Sequence, residues 1–136
     1  MGLDTSHNAW HGAYSAFGRW RDKVAETAGY AVVTVDKEPH PVVMIDWGHI
    51  TKGNLYGQWE QTPPDPLLVL IAHSDCEGVI HPEQAASLAD RLEGLLPLLE
   101  YADDGGGHIG GYADKTRQFI RGLRDAVAAN EPVEFF

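Results

Sequence analysis

The chain has 136 residues, of which 43% are hydrophobic, and it carries a formal net charge of −10 at neutral pH. This length suits a single globular domain with its own core, so we expect one domain over residues 1–136. The acidic balance disfavours a nucleic-acid partner, and no apolar stretch approaches the roughly 20 residues that a membrane span needs. The start of the sequence lacks a signal-peptide pattern and Cys76 is the only cysteine, so we expect a cytoplasmic protein.

The first predicted element is a helix over residues 10–28 that Gly29 ends. Capping-type residues upstream suggest that it could begin as early as His7, in which case His7 and His11 would project from adjacent turns. Arg21 falls near the middle of the apolar arc. Its aliphatic stem would then pack while the guanidinium reaches outward, or else the guanidinium would form an internal ion pair or an anion site. The apolar arc consists of Trp10, Ala13, Tyr14, Phe17, Trp20, Val24 and Ala28.

β-branched runs predict the strands. Residues 31–35 and 42–46 are two such runs joined by a proline-containing loop, which predicts a hairpin. Trp47 and Trp59 bracket a stretch with turn chemistry, which suggests a short exposed ribbon. The continuous apolar run over residues 67–72 predicts a strand covered on both faces.

Most of the second half of the chain is predicted to be helical. A helix should begin at Pro82, and Pro97 should kink or end it. A last helix, stopped at Asn130, should bury Phe119, Ile120, Leu123 and Val127. Its arginines 117, 121 and 124 could pair with acidic residues or face water. Residues 133–136 suit a short edge strand or a docked tail. The fold class that follows is α+β, with a small sheet of three to five strands packed with about three helices.

The densest chemistry begins in the His73–Gly78 loop. Within nine residues the chain offers five residues of metal-ligand type, namely His73, Asp75, Cys76, Glu77 and His81. Zinc sites usually need ligands from a second segment, and the predicted first helix offers His7 and His11. One hypothesis is therefore a divalent-metal site, zinc foremost, where the His73–Gly78 loop meets the first helix. The alternative is that these side chains are ordinary capping and hydrogen-bonding groups.

Other kinds of site fit the same region less well. An EF-hand alignment lacks both the first carboxylate and the final bidentate Glu. Cys76 could act as a nucleophile with a histidine base, but the flanking Asp75 and Glu77 disfavour a thiolate. Acid–base catalysis by Asp75 and a histidine stays open. So does metal-dependent hydrolysis with Asp75 or Glu77 as base, so the sequence does not decide whether the protein is an enzyme. Residues 105–110 match GxGxxG literally but follow no strand, which indicates a surface loop.

A competing class of function is metal-free protein–protein interaction. Eleven of the twenty carboxylates fall within residues 53–114, where Arg91 is the only basic residue besides histidine. Such a segment suits a basic partner, and Trp47 and Trp59 could supply an aromatic contact beside Glu77. Arg21 would be a further ligand or partner residue if it holds an anion.

Several short motifs together resemble a family of small uncharacterised proteins from actinobacteria and their phages. The resemblance runs over most of the chain and implies a bacterial or phage origin, but no activity. A phage origin would favour an accessory or host-directed binding protein. The motifs are His7-Asn-Ala-Trp-His-Gly12, Tyr14-Ser-Ala-Phe17, Gly57-Gln-Trp-Glu60, Asp65-Pro-Leu67 and His73-Ser-Asp-Cys-Glu-Gly78.

Overall fold

The computed structural model describes residues 2–29, 32–35, 42–45, 66–71, 73, 78–104 and 111–136. Its elements in chain order are β1 (Gly2–Asp4), a short 3-10 helix (Ser6–Asn8), β2 (His11–Ala13), α1 (Tyr14–Thr27), β3 (Val32–Val35), β4 (Val42–Ile45), α2 (Leu67–Ile71), β5 (Val79–Ile80), α3 (Pro82–Asp104), α4 (Tyr112–Ala129) and β6 (Val133–Glu134). Helices mixed with antiparallel strands give an α+β architecture, as predicted. The predicted ribbon between Trp47 and Trp59 and the loop at residues 105–110 lie outside the described residues.

The described strands form three antiparallel pairs, namely β1–β2, β3–β4 and β5–β6. The predicted hairpin is confirmed as the β3–β4 pair, in which Val32 is opposite Ile45. Two of the pairs are joined, because Asp4 and Phe136 exchange backbone hydrogen bonds of 3.1 and 2.9 Å and Thr5 forms an antiparallel bridge with Phe135. The described residues therefore do not form the single sheet that was predicted. The β1–β2 and β5–β6 pairs are joined by these contacts, and β3–β4 is a further pair.

The first helix begins later than predicted. Residues 11–13 form β2 instead, because they pair with β1 and help to bury Leu3, which has no exposed surface. Trp10 is still buried, but in a loop, where its backbone N–H donates to Thr5 Oγ1 at 2.9 Å. Gly29 ends the helix as predicted, with a φ of +97° that a glycine adopts without strain.

The predicted strand at residues 67–72 is wrong, because Leu67–Ile71 is a helix. A short apolar run is consistent with either a buried strand or a buried helix, and hydrophobic periodicity alone does not separate them. The described side chains of α2 are buried, so tertiary packing decided between the two. The described residues therefore contain four α-helices rather than about three.

Helix α3 begins at Pro82, as predicted, and the Gln84 side chain accepts a hydrogen bond from the His81 backbone N–H at 3.0 Å. Pro97 does not end it, and the helix continues to Asp104. Leu95 and Leu99 are buried on either side of the proline, and this burial offsets the backbone hydrogen bond that proline removes.

Helices α3 and α4 pack against each other. Arg117 contacts Glu100, and Arg124 contacts Asp90 and Glu93, which confirms the predicted pairing for these two arginines. All these side chains are well exposed, so each pair contributes little to stability. Val127 was predicted to be buried, but it is 37% exposed.

An aromatic cluster forms the centre of the core. Phe17 and Trp20 of α1 meet Phe119 of α4, with ring centroids 6.5 and 4.9 Å from the Phe119 ring. Trp10 packs edge-on against Phe17 at 5.1 Å, and Phe135 packs against the same ring at 5.9 Å. These contacts place the segments at both ends of the described chain on one side of α1. The polar residues discussed below lie on those segments.

Candidate functional site

His73 is held in a defined orientation. Its Nε2 lies 3.0 Å from the carbonyl oxygen of Val79, and its ring packs on Phe135 with centroids 4.2 Å apart. A carbonyl oxygen only accepts hydrogen bonds, so Nε2 carries the proton and Nδ1 carries the lone pair. No local sequence signal points to either contact, because Phe135 is distant in the chain and the Val79 contact uses the backbone.

Gly78 makes this orientation possible. It has a φ of +95°, and a Cβ at this position would lie 3.3 Å from Cε1 of His73, closer than side chains normally approach. The Gly78 carbonyl accepts a hydrogen bond from the Phe135 backbone N–H at 3.0 Å. The glycine therefore lets the backbone approach the imidazole closely and also anchors the segment that carries Phe135.

Arg21 binds the end of α2. Its Nη1 lies 3.4 Å from the carbonyl oxygens of Leu70 and Ile71 and donates to the carbonyl oxygen of His73. Its Cζ lies 4.8 Å from the centre of the Phe17 ring. A guanidinium at a helix C-terminus satisfies exposed carbonyl groups and complements the helix dipole. These contacts assign Arg21 a scaffold role beside His73, and its role as a ligand residue stays a prediction.

Asp22, next to Arg21 on α1, supports a prediction about pH. Burial raises the pKa of Asp22 above its usual value, and Arg21 only partly offsets this. The folded state therefore holds the proton more tightly than the unfolded state, and the ionised carboxylate destabilises the fold at neutral pH. We expect Asp22→Asn to raise the free energy of unfolding at neutral pH. The gain should shrink as the pH falls through the raised pKa towards about 4, the usual value for Asp. Urea denaturation at both pH values measures this.

The matched control for that experiment is Asp125→Asn, at an exposed position of α4. It makes the same change in net charge, so it reports the general relief of repulsion in an acidic protein. If Asp22→Asn and Asp125→Asn raised the free energy of unfolding equally at neutral pH, the burial of the Asp22 carboxylate would not destabilise the fold.

The predicted placement of His7 and His11 on one helix is wrong. His7 lies in the 3-10 helix, and His11 lies in β2 directly opposite Asp4. Nδ1 of His11 contacts Oδ1 of Asp4, and Nε2 of His7 lies 3.0 Å from Oε1 of Glu131. Pairing of β1 with β2 gives His11 its carboxylate partner, whereas the partner of His7 comes from the segment that follows α4.

The other predicted metal ligands, Asp75 and Cys76, lie outside the described residues, as do Glu77, Trp47 and Trp59. Within the described ranges, no three His, Cys, Asp or Glu side chains come together as a group that could hold a metal ion. The described residues alone therefore form no such site, and a metal site at His73 would need ligands from outside the described ranges.

Two polar residues that the sequence analysis did not single out contact His7. Ser6 Oγ lies 3.0 Å from Nδ1 of His7, and Glu131 is at the other ring nitrogen. Ser6 Oγ also accepts a hydrogen bond of 2.8 Å from the Glu134 backbone N–H. Glu131 is 124 residues from His7, and no local sequence signal connects them.

Comparison with known proteins adds no relative: no family model matches the chain, and no curated protein or solved structure is significantly similar to it. The resemblance to small proteins of actinobacteria and their phages stays a prediction. Among the described helices, none combines the length and apolar character needed to cross a membrane.

Proposed function

We propose that this protein is a small binding protein whose ligand is a divalent metal, zinc foremost, held by His73, Asp75 and Cys76. Imidazole, carboxylate and thiolate are all zinc ligands, and a site with only three protein ligands keeps a coordination position for water or a ligand molecule. His7 and His11 are not included, because among the described residues neither imidazole joins a group of three possible metal ligands. The cytoplasmic location stays part of this proposal.

The orientation of His73 carries the proposal. Histidines that bind metals usually donate the second ring N–H to a carbonyl or carboxylate, which fixes the tautomer and directs the other nitrogen at the metal. The Nε2–H of His73 has such a partner in the carbonyl of Val79. Nδ1 is then the ligating nitrogen, and Asp75 and Cys76 follow two and three residues later.

The first experiment measures metal content by elemental analysis of untagged protein purified without chelator. We expect about one zinc per chain, and chelator competition should then show zinc affinity falling more than about tenfold in His73→Phe, which keeps an aromatic ring on Phe135 but has no ligand nitrogen. Asp75→Asn and Cys76→Ser should weaken binding as well. His81→Ala is the matched control, because His81 is an exposed histidine directly before α3 and is not one of the three proposed ligands.

Thermal unfolding separates loss of the metal from loss of the fold. The variants should unfold close to the wild-type temperature without metal, while added zinc should stabilise the wild type and the control more than the ligand variants. Wild-type protein that contains no metal and shows no thermal shift with added zinc would contradict the proposal.

The second candidate function is metal-free binding of a basic or aromatic protein partner. Leu98 and Tyr101 of α3 favour it, because they are 55% and 82% exposed on a helix that also carries exposed Glu93 and Glu100. Glu93 and Glu100 already pair with Arg124 and Arg117. A partner would therefore offer apolar side chains to Leu98 and Tyr101 and basic side chains that compete for the two carboxylates. Salt would weaken such binding, whereas His73→Phe would leave it unchanged, which distinguishes the two candidates.

A further inference from the structure

Ser6, His7 and Glu131 form a continuous chain of hydrogen-bonding side chains. Ser6 Oγ lies 3.0 Å from Nδ1 of His7, and Nε2 of His7 lies 3.0 Å from Oε1 of Glu131. A hydroxyl, an imidazole and a carboxylate linked in this order are the parts that activate a serine nucleophile in hydrolases. This cluster shares no residue with the metal site proposed above, and its chemistry goes beyond that function.

The carboxylate defines the proton positions. A carboxylate only accepts hydrogen bonds, so in the neutral imidazole Nε2 of His7 carries the proton that faces Glu131 and Nδ1 presents its lone pair to Ser6. The Ser6 hydroxyl could donate to Nδ1 at 3.0 Å or to the carbonyl of Pro132 at 3.5 Å, and the shorter contact is with the imidazole. The Glu134 N–H donates to the same oxygen and holds the hydroxyl beside the imidazole.

An unusual backbone conformation brings these neighbouring side chains together. His7 and Asn8 have φ values of 58° and 54°, in the left-handed region that few residues other than glycine adopt. Such residues cost on the order of 1–3 kcal/mol each and cluster at functional sites. Gln118 donates to the carbonyl of Asn8 at 3.1 Å and helps to hold this conformation.

The cluster lies at the surface, where a substrate can reach it. The side chains of His7 and Glu131 are 18% and 60% exposed, and Ser6 is partly exposed. We propose that Ser6 is the nucleophile of an esterase site for small carboxylic esters, with His7 as general base and Glu131 as the residue that positions and stabilises the imidazole.

The reaction balances without a cofactor. Ser6 Oγ attacks the ester carbonyl carbon while its proton moves to Nδ1 of His7, and the tetrahedral intermediate breaks its bond to the alcohol oxygen, which takes that proton and leaves. Water then attacks the acyl-serine and gives a proton to Nδ1. The carbonyl–Oγ bond breaks, and that proton returns to Oγ as the carboxylic acid departs. Glu131 accepts the Nε2–H bond throughout and stabilises the imidazolium.

A fluorophosphonate probe tests the proposal directly, because an activated serine displaces fluoride from phosphorus and keeps the phosphonyl group. We expect mass spectrometry to find the label on Ser6, and p-nitrophenyl acetate to be hydrolysed with an acyl-serine intermediate. Ser6→Ala should abolish labelling, and Ser15→Ala, at an exposed serine of α1, should leave it unchanged. A chelator removes any bound metal, so labelling that persists in its presence does not come from the proposed metal site. The esterase proposal and the metal proposal can therefore fail separately.

Glu131→Gln keeps the test decisive if Ser6→Ala does not fold. Glutamine retains a carbonyl oxygen for the Nε2–H and removes only the charge, so a merely structural contact would be preserved. We expect labelling of Ser6 to slow at least tenfold in Glu131→Gln at an unchanged unfolding temperature, and Glu131→Asp to restore part of the rate. Labelling of Ser6 no faster than that of Ser15, or equal rates in wild type and Glu131→Gln, would overturn the proposal.

Discussion

Gly122→Ala should destabilise the protein by about 3 kcal/mol, at the upper end of the usual cost of overpacking. Gly122 is buried in α4 against Ala9, and an added Cβ would lie 2.6 Å from Cα and 2.9 Å from the backbone nitrogen of Ala9, and closer still to its Cβ. No flexible side chain can move aside, so the loop that carries Ala9 must shift. The helix-propensity gain of up to about 1 kcal/mol from replacing glycine cannot offset this.

Denaturation in urea measures the effect, and Gly94→Ala is the matched control. Gly94 is an exposed glycine of α3, and nothing lies within 4 Å of the position of its Cβ. The control should gain about 0.5–1 kcal/mol, because alanine loses less backbone entropy in a helix. Similar changes in the two variants would show that α4 does not pack as closely on Ala9 as described. The shift should also disturb the neighbouring Ser6–His7 pair, so probe labelling of Ser6 should fall in Gly122→Ala alone.

Thr116→Val should cost about 1–3 kcal/mol although it barely changes the shape of the side chain, since it leaves a buried N–H without a partner. Trp20 Nε1 donates to Thr116 Oγ1 at 2.9 Å, and the hydroxyl donates in turn to the carbonyl of Tyr112 at 2.8 Å. Trp20 and Thr116 are 1% and 0% exposed, so water cannot replace the lost acceptor without opening the core.

A double-mutant cycle isolates this hydrogen bond from packing. In a Trp20→Phe background no indole N–H remains, so Thr116→Val should cost less there than in the wild type, with a coupling of about 1 kcal/mol or more. Thr116→Ser keeps the hydroxyl and should lose only the contribution of one buried methyl, about 1 kcal/mol. If the effects of the two substitutions on the free energy of unfolding were additive, the hydrogen bond would make no net contribution to stability.

Much of the helical framework follows from local sequence. The apolar spacing along α1, α3 and α4 predicts their existence and most of their buried residues, because an amphipathic helix can bury only one face. Gly29 and Asn130 mark the ends of α1 and α4, and both have positive φ values. The β-branched runs predict the β3–β4 hairpin for a similarly local reason, since their stiff side chains favour extended backbone.

The candidate sites could be predicted only in part. The His73–Gly78 loop is visible in the sequence because its ligand types lie close together. The Ser6–His7–Glu131 cluster is not, because its members come from opposite ends of the chain and meet only when Phe136 hydrogen-bonds to Asp4 and Glu134 to Ser6. Contacts between distant segments leave no periodic pattern in the sequence from which they could be predicted.

By itself, then, the sequence determined that α1, α3 and α4 form, where the hairpin lies and that acidic residues concentrate in the middle of the chain. The tertiary structure decided that Leu67–Ile71 is a helix, because burial overrides the weak preference of a short apolar run. It also decided that His7 and His11 leave the first helix, since strand pairing of residues 2–4 with 11–13 buries Leu3. Local propensities are worth tenths of a kcal/mol per residue, whereas burial of one large side chain is worth about 1.5–3 kcal/mol, and burial decides wherever the two disagree.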